Sequence, residues 1–378
     1  MSQKLLKLHP VAAALTLAKS ASAAEVSIYG KIDTGLAFTS IDNGKPGSDR
    51  VNTTQMLSGQ TAGSRWGIRG EEDLGNGYSV GFKLESGMNT DDGTMAQGGR
   101  LFGRQADIHL GTPMGTFKFG HMGALGSGFP DTGLFGGNIS PFAVGLGEVP
   151  GHRFIFTGNF GVVDNAITYI SPSMAGFRVH AQYSHGKDTT KFGPNGVEGE
   201  SSVDRFYAIG LSYNNARTEW NTVIDSTNFA SYGTGTDPDD SLVITTGVRH
   251  DIDIAKIYFD AQYFQDARDF TVADLQQEKW LQDQKGKDGY GVTVGADIPA
   301  FGAGTFKVAA GYMHAERSES LPNSKVDELD RYTFSFGYWY DLSKRTTIYS
   351  GIGYMVDKLD TYDDANCISG SLGLVHNF

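Results

Sequence analysis

The residues best placed to do chemistry are basic, and they recur on the polar faces of alternating segments. Lys31 shares a face with Ser27 and Asp33, opposite Val26, Ile28, Ile32, Leu36 and Phe38. Arg65, Arg69, Lys83 and Arg178 follow the same rule. Five cations turned toward one interior can act only as a field: they attract anions and order water in a confined aqueous space. Arginine suits such a wall because it stays charged beside other cations. The bland alternative, scattered rim charges, is screened within about 8–10 Å at physiological salt. On the outer face of a membrane strand an arginine costs about 2–4 kcal/mol at mid-depth.

No covalent chemistry competes strongly with that reading. His109, His180 and His314 are candidates for a Ser-His-Asp hydrolase by residue type alone, and no nucleophile spacing supports them. Cys367 stands alone, which excludes an intrachain disulfide and a thiolate metal cluster. Asp237, Asp239 and Asp240, and again Asp360, Asp363 and Asp364, offer oxygen ligands for divalent cations, but solvated loop acids are the simpler reading. No cofactor and no metal is expected. A net charge of −12 argues against a general nucleic-acid role, because phosphate binding needs a basic face.

The elements that position the cations are strands. Period-two alternation recurs from Val26 to the last residue. Phe177, Val179, Ala181 and Tyr183 oppose Arg178, His180, Gln182 and Ser184. Tyr332, Phe334, Phe336, Tyr338 and Tyr340 oppose Thr333, Ser335 and Gly337. Ile368, Leu372, Leu374 and Phe378 oppose Ser369, Ser371, Gly373 and Asn377. Short turns at 73–76, 112–114, 171–175, 214–216, 251–253, 299–303 and 342–344 alternate with long polar connections at 40–60, 87–99, 122–162, 185–204, 226–241, 266–289, 315–329 and 358–366. Seven short and eight long connections imply about sixteen strands, an even number in the range of outer-membrane barrels. The expected fold is all-β: a transmembrane antiparallel 16-stranded β-barrel, wide enough to leave an aqueous channel. Glycine at 51 of 378 residues and a Tyr-plus-Phe total of 40 fit curved strands, a crowded lumen and interfacial rings.

The first residues read as an export signal. Lys4 and Lys7 precede an apolar run from Val11 to Ala18, and Ala21-Ser22-Ala23 offers a cleavage pattern. Residues 1–23 are therefore expected to be removed, leaving one domain, 24–378; losing Lys4, Lys7 and Lys19 takes the net charge from −12 to −15. That apolar run is too short to span a bilayer as a helix.

At this point particular segments resemble a known family. The start Glu25-Val26-Ser27-Ile28-Tyr29-Gly30-Lys31-Ile32-Asp33 resembles the first strand of Gram-negative trimeric general porins of the β-proteobacterial and Neisseria type. Ser64-Arg65-Trp66-Gly67-Ile68-Arg69-Gly70-Glu71-Glu72-Asp73 is similar to their second strand, and Gly103-Arg104-Gln105-Ala106 and Gly115-Thr116-Phe117-Lys118-Phe119-Gly120 to later ones. Asp164-Asn165-Ala166-Ile167-Thr168-Tyr169 with Gly176-Phe177 fits the hairpin after the third loop. The resemblance implies passive diffusion of small hydrophilic solutes and ions through a homotrimer in the outer membrane, with lipopolysaccharide and the barrel assembly machinery as partners. It adds Arg104 and Arg153 to the basic wall and makes Phe378 the assembly signal. It folds the segment 122–162 into the pore as a constriction loop carrying Asp131, Leu134, Phe135, Asn138 and Glu148. Leu134 and Asn138 stand where carboxylates are expected, which weakens the acidic side and favours weak anion selectivity. Strand parity would turn Arg104 to lipid with Ala106, Ile108 and Leu110; following the resemblance instead puts Arg104 in the pore and Asp107 and His109 at a subunit contact. His121 stands where relatives often carry arginine. The alternatives are a substrate-selective outer-membrane channel and, in another class, a surface adhesin or phage receptor acting through external loops.

Overall fold

The computed structural model describes residues 25–44, 47–136, 139–143, 149–158, 160–231, 238–270, 286–318, 328–359 and 364–378, apart from the side chains of His152, Arg153 and Leu359. The expected leader, Asn138, Glu148, Asp237, Asp360, Asp363 and the side chain of Arg153 lie outside the described residues.

Seventeen strands form one antiparallel sheet. They are β1 (Glu25–Asp42), β2 (Val51–Ser58), β3 (Arg65–Gly75), β4 (Tyr78–Gly87), β5 (Gln105–Thr112), β6 (Gly115–Gly123), β7 (Val162–Ile170), β8 (Phe177–Ser184) and β9 (Arg205–Asn214), followed by β10 (Thr218–Asn228), β11 (Leu242–Asp251), β12 (Lys256–Ala267), β13 (Lys287–Pro299), β14 (Gly304–Arg317), β15 (Glu328–Ser343), β16 (Thr346–Leu359) and β17 (Ala365–Asn377). β2 pairs with the upper part of β1, from Thr34 to Ile41, while β3 pairs with its lower part, from Glu25 to Lys31. The two therefore share one position, and the barrel is sixteen-stranded. The long connection expected at 40–60 is only partly a loop, because β1 runs to Asp42 and β2 lies within that segment. The β2 run Asn52-Thr53-Thr54-Gln55 has no apolar alternation to reveal it, and it is held by backbone pairing alone.

The sheet closes where β17 meets β1, in a register from Lys31 opposite Asn377 to Asp42 opposite Asn366. One residue further, Gly30 and Phe378 exchange both backbone hydrogen bonds at 3.0 Å. The Phe378 ring lies over Gly30, where any Cβ would fall 2.2 Å from the ring. Every backbone group in a lipid-facing strand needs such a partner, and closure supplies it without an edge.

The faces sort as alternation requires. Val26, Ile28, Leu36, Phe334, Ile352 and Leu372 are exposed on the outside. Rings gather in two outer bands. Tyr183 with Tyr207, and Tyr290 with Tyr312 and Tyr332, mark the long-loop end. Phe117 with Tyr169, Phe177 with Tyr213, and Phe306 with Tyr338 mark the short-turn end. Amphipathic rings at both interfaces are what a membrane barrel shows.

The described residues of the β6–β7 connection, between 124 and 161, fold inside the barrel, where the wall is cut to receive them. Glycines stand where it passes. A Cβ at Gly247 would lie 2.3 Å from Ile139, at Gly311 2.5 Å from Ile155, at Gly353 2.3 Å from Pro150 and at Gly210 2.8 Å from Leu134. Small apolar clusters then fix the loop. Phe135 and Ile139 pack with Phe206 and Val223, Ile155 and Phe156 with Phe264, Met313 and Leu329, and Phe154 with Met355 and Cys367. A one-turn helix, α1 (His152–Ile155), sits at the end of this path. Beneath it Arg331 forks onto Asp357, Nε and Nη2 each donating at 2.7 Å, and its Nη1 donates to the Phe154 carbonyl at 3.1 Å. Both partners are fully buried.

A buried pair is costly to break and cheap to replace. Arg331→Met alone should therefore destabilise the barrel by about 3–5 kcal/mol in urea unfolding. Adding Asp357→Leu should restore most of that loss; a double variant no better than the single one would refute this account of the pair.

Candidate functional site

The break between β2 and β3 shapes the interior. At Gly59 the chain takes φ +71, a left-handed turn that suits glycine, and the segment up to Ser64 swings inward. Asp33 on β1 holds it there. Thr61 donates its N–H (2.7 Å) and hydroxyl (2.5 Å) to Oδ2, and Ala62 N–H adds a third bond at 3.1 Å. Ser64 both accepts from the Asp33 N–H and donates to its carbonyl. From across the closure seam Tyr349 donates to Oδ1 at 2.6 Å. A fully buried carboxylate is tolerable because four donors satisfy it.

This inward turn sets Thr61, Ala62 and Gly63 beside Lys31, Arg65 and Arg104 around a chamber of about 500 Å³ between the inner loop and the wall. Gly63 leaves room for the Arg104 guanidinium; a Cβ there would lie 2.9 Å from its Nη1. Arg104 donates from Nε to Glu85 Oε1 at 2.8 Å, and its guanidinium lies 4.8 Å over the Phe129 ring. Glu85 also has Lys83 at 3.5 Å and Arg65 at 3.8 Å, and Tyr29 donates its hydroxyl to Oε2 at 2.8 Å. Lys83 reaches onward to Asp131 of the inner loop, donating at 2.6 Å. Partial desolvation favours the neutral acid at Asp131, but the hydrogen bond from Lys83 and the charges of Lys83 and Lys118 outweigh it and hold the carboxyl below its usual range.

Around this point Lys31, Arg65, Lys83 and Arg104 meet three carboxylates, Glu85, Asp131 and the buried Asp33. Lys31 has no ion pair or side-chain hydrogen bond among the described residues. A second chamber, of about 690 Å³, is lined by Arg69, Lys83, Lys118 and His109 together with Glu25, Glu71 and Asp131. Arg69 lies 5.1 Å over the Tyr29 ring and donates to Ser27 at 3.2 Å.

Of the residues singled out from sequence, Lys31, Arg65, Arg69, Lys83, Arg104 and Asp131 are brought together. Arg178 shares the inner face of β8 with buried His180, Gln182 and Ser184 but lines neither chamber. Leu134 and Phe135 anchor the loop: Phe135 is buried against the wall at the border of the first chamber, and the Leu134 carbonyl accepts from Asn221 Nδ2 at 2.5 Å. Arg104 escapes strand parity because it precedes the first residue of β5. Within β5 parity holds, and Asp107 and His109 face the lumen with Lys118, not a subunit contact as expected. His121 is turned to Asp164 (Nδ1 at 2.5 Å) and the Gly103 carbonyl (Nε2 at 2.9 Å). Glu85, Lys118 and Lys307 were missed, although each shares its strand's polar face and alternation would have found them.

His180 Nε2 lies 2.9 Å from Ser212 Oγ, but its Nδ1 has no partner, so the orienting acid of a triad is missing. Among the described residues no three His, Cys, Asp or Glu side chains gather to hold a metal ion.

Removing the Tyr349 hydroxyl strips a buried carboxylate of one donor. Tyr349→Phe should cost about 1–3 kcal/mol in urea unfolding. Its single-channel conductance should also become noisier as the Gly59–Ser64 segment loosens; an unchanged midpoint would show that water replaces the hydroxyl.

Comparison with known proteins shows the family. Residues 11–360 match the Gram-negative porin family. An outer membrane porin protein of Bordetella pertussis is 31% identical over 396 residues, covering 97% of this chain and 98% of that protein. Outer membrane porin protein 32 of Delftia acidovorans is 25% identical, covering 92% and 89%. Among solved structures, an anion-selective porin from Comamonas acidovorans superposes with a TM-score of 0.66 at 20% identity, covering 94% of this chain and all of that one. The chain belongs to the Gram-negative porin family, whose members form channels in the outer membrane and are not enzymes.

Proposed function

We propose that the barrel is a passive channel for small hydrophilic solutes and ions that weakly prefers anions, and that it works as a homotrimer. The observation that carries the anion preference is the unequal charge at the inner loop: Lys31, Arg65, Lys83 and Arg104 against Glu85, Asp131 and the buried Asp33. Low-dielectric walls focus that field into the water between them, raising the local concentration of anions. The acids that make the whole chain negative lie mostly in the long connections, too far to cancel a field screened over about 8 Å. The anion-selective porin of similar fold supports the same sign, and a trimeric form among the similar structures supports the assembly.

Three further parts of the proposal follow from the family. Residues 1–23 act as an export leader cleaved after Ala23. Phe378, on the closure seam beside Gly30, serves as the signal read by the barrel assembly machinery. Acidic outer loops contact lipopolysaccharide through bridging cations, so chelation should loosen the trimer on unheated gels.

The deciding experiment is single-channel conductance with reversal potential under a KCl gradient. Stepwise conductance in threes with a chloride-favouring potential is expected. Because two unit charges 4 Å apart in water interact by about 1 kcal/mol, roughly fivefold in local ion concentration, Arg65→Glu should move the chloride-to-potassium permeability ratio several-fold toward potassium. A potassium-favouring potential in the unaltered protein would show that the carboxylates win.

A further inference from the structure

The chamber that holds Lys31, Arg65 and Arg104 also has an apolar side. Phe129, Phe142, Phe160 and Trp339 line it, with Pro130 and Pro141. This side is braced. Phe142 meets the Trp339 ring edge-on at 5.7 Å, Tyr349 stacks on the same indole at 6.0 Å, and Lys307 sits 5.3 Å over it. Lys307 is itself neutralised by Asp297, at 2.8 and 2.9 Å. No carboxylate is among the described residues lining the chamber; Glu85 and Asp131 stand beside it. Lys31 and Arg65 therefore keep donors free for a solute, Lys31 all of its own.

Hydrated chloride gains nothing from aromatic walls, and a channel for small ions alone needs only the charges. Fixed rings beside cations with donors still open match a solute with both features: a carboxylate and a flat apolar ring. The volume of about 500 Å³ lies in the range of sites that enclose small organic ligands, about 300–1,000 Å³. Bracing by Phe142, Tyr349 and Lys307 reduces the ordering cost of binding. Resting on the anion-channel reading above, we infer that this chamber is a saturable subsite for small aromatic carboxylates, with the carboxylate on Lys31 and Arg65 and the ring against Trp339 and Phe142. Binding is weak, since a solute that crosses must also leave.

Benzoate is the probe, with acetate and benzyl alcohol as its two halves, each added at constant ionic strength to channels already conducting KCl. Benzoate should reduce the current saturably, at about tenfold lower concentration than acetate, a ratio equivalent to about 1.4 kcal/mol. Benzyl alcohol should do nothing over the same range. Trp339→Ala should raise the half-blocking concentration of benzoate several-fold more than that of acetate, and Trp339→Phe should keep most of the difference. Should the alanine variant fail to fold, Lys31→Gln reads the other pole by weakening benzoate and acetate together. Equal block by benzoate and acetate in the unaltered protein, or equal shifts on Trp339→Ala, overturns the subsite while leaving the anion channel standing. A potassium-favouring reversal potential or absent KCl conductance in the same recordings overturns both.

Discussion

A sheet that crosses hydrocarbon must pair every backbone amide within itself, and the rest of this structure depends on that constraint. An open edge would leave a row of donors and acceptors in lipid, each costing several kcal/mol. Sixteen strand positions close the ring through β1 and β17, and the final exchange between Gly30 and Phe378 brings the chain end into that seam. With backbone pairing complete, alternation alone decides what each side chain meets. Outer positions face lipid and stay apolar or aromatic. Inner positions are released from that demand and can carry charge, which is where Lys31, Arg65, Lys83 and Glu85 lie.

The inner loop narrows a wide ring, and its seat explains a large part of the composition. A loop lying against the inside of a sheet needs room at close range, which side chains on inward positions would deny it. Gly210, Gly247, Gly311 and Gly353 provide that room, and Leu134, Ile139, Ile155 and Pro150 fill it. A polar lumen would hold such a loop only through solvent-exposed contacts. Here apolar clusters and the buried Arg331–Asp357 pair fix it instead, so the charges it carries, Asp131 above all, keep a defined distance from the wall.

What the sequence made legible followed from these same constraints. Alternation placed Val26, Ile28 and Phe334 outside and Lys31, Arg65 and Lys83 inside, and connection lengths counted the strands. Reading failed where position is set by something other than period two. Arg104 lies just before a strand, so parity could not orient it. The middle of β2, Asn52 to Gln55, is polar on both sides and is revealed only by its pairing with β1. Leu134 looked like a substitution at a charged loop position and Phe135 like a constriction-loop residue, yet both pack against the wall, which depends on Gly210 and on wall residues far away in sequence. Trp339 sits on the inner side of a strand full of outward rings; that it meets a cation chamber depends on the folded loop. Glu85 was legible, two residues from Lys83 on the same face, but the search for a basic wall passed over the acid that stabilises it.

The acid and the cations must be weighed together. Lys31, Arg65, Lys83 and Arg104 repel one another, and in a partly desolvated space that repulsion opposes folding. Glu85, fixed by Arg104 and Tyr29, offsets part of it, and Asp131 offsets more at Lys83. Full neutralisation would make the cluster easier to fold and useless for drawing anions. Asp33 shows how the balance is kept: it is buried beside Lys31, but its lone pairs are taken up by Tyr349, Thr61 and Ala62. Those bonds give it a task in holding the inward turn, and its charge still offsets part of the field of Lys31. Four cations against three carboxylates nevertheless leave one positive charge over at this point.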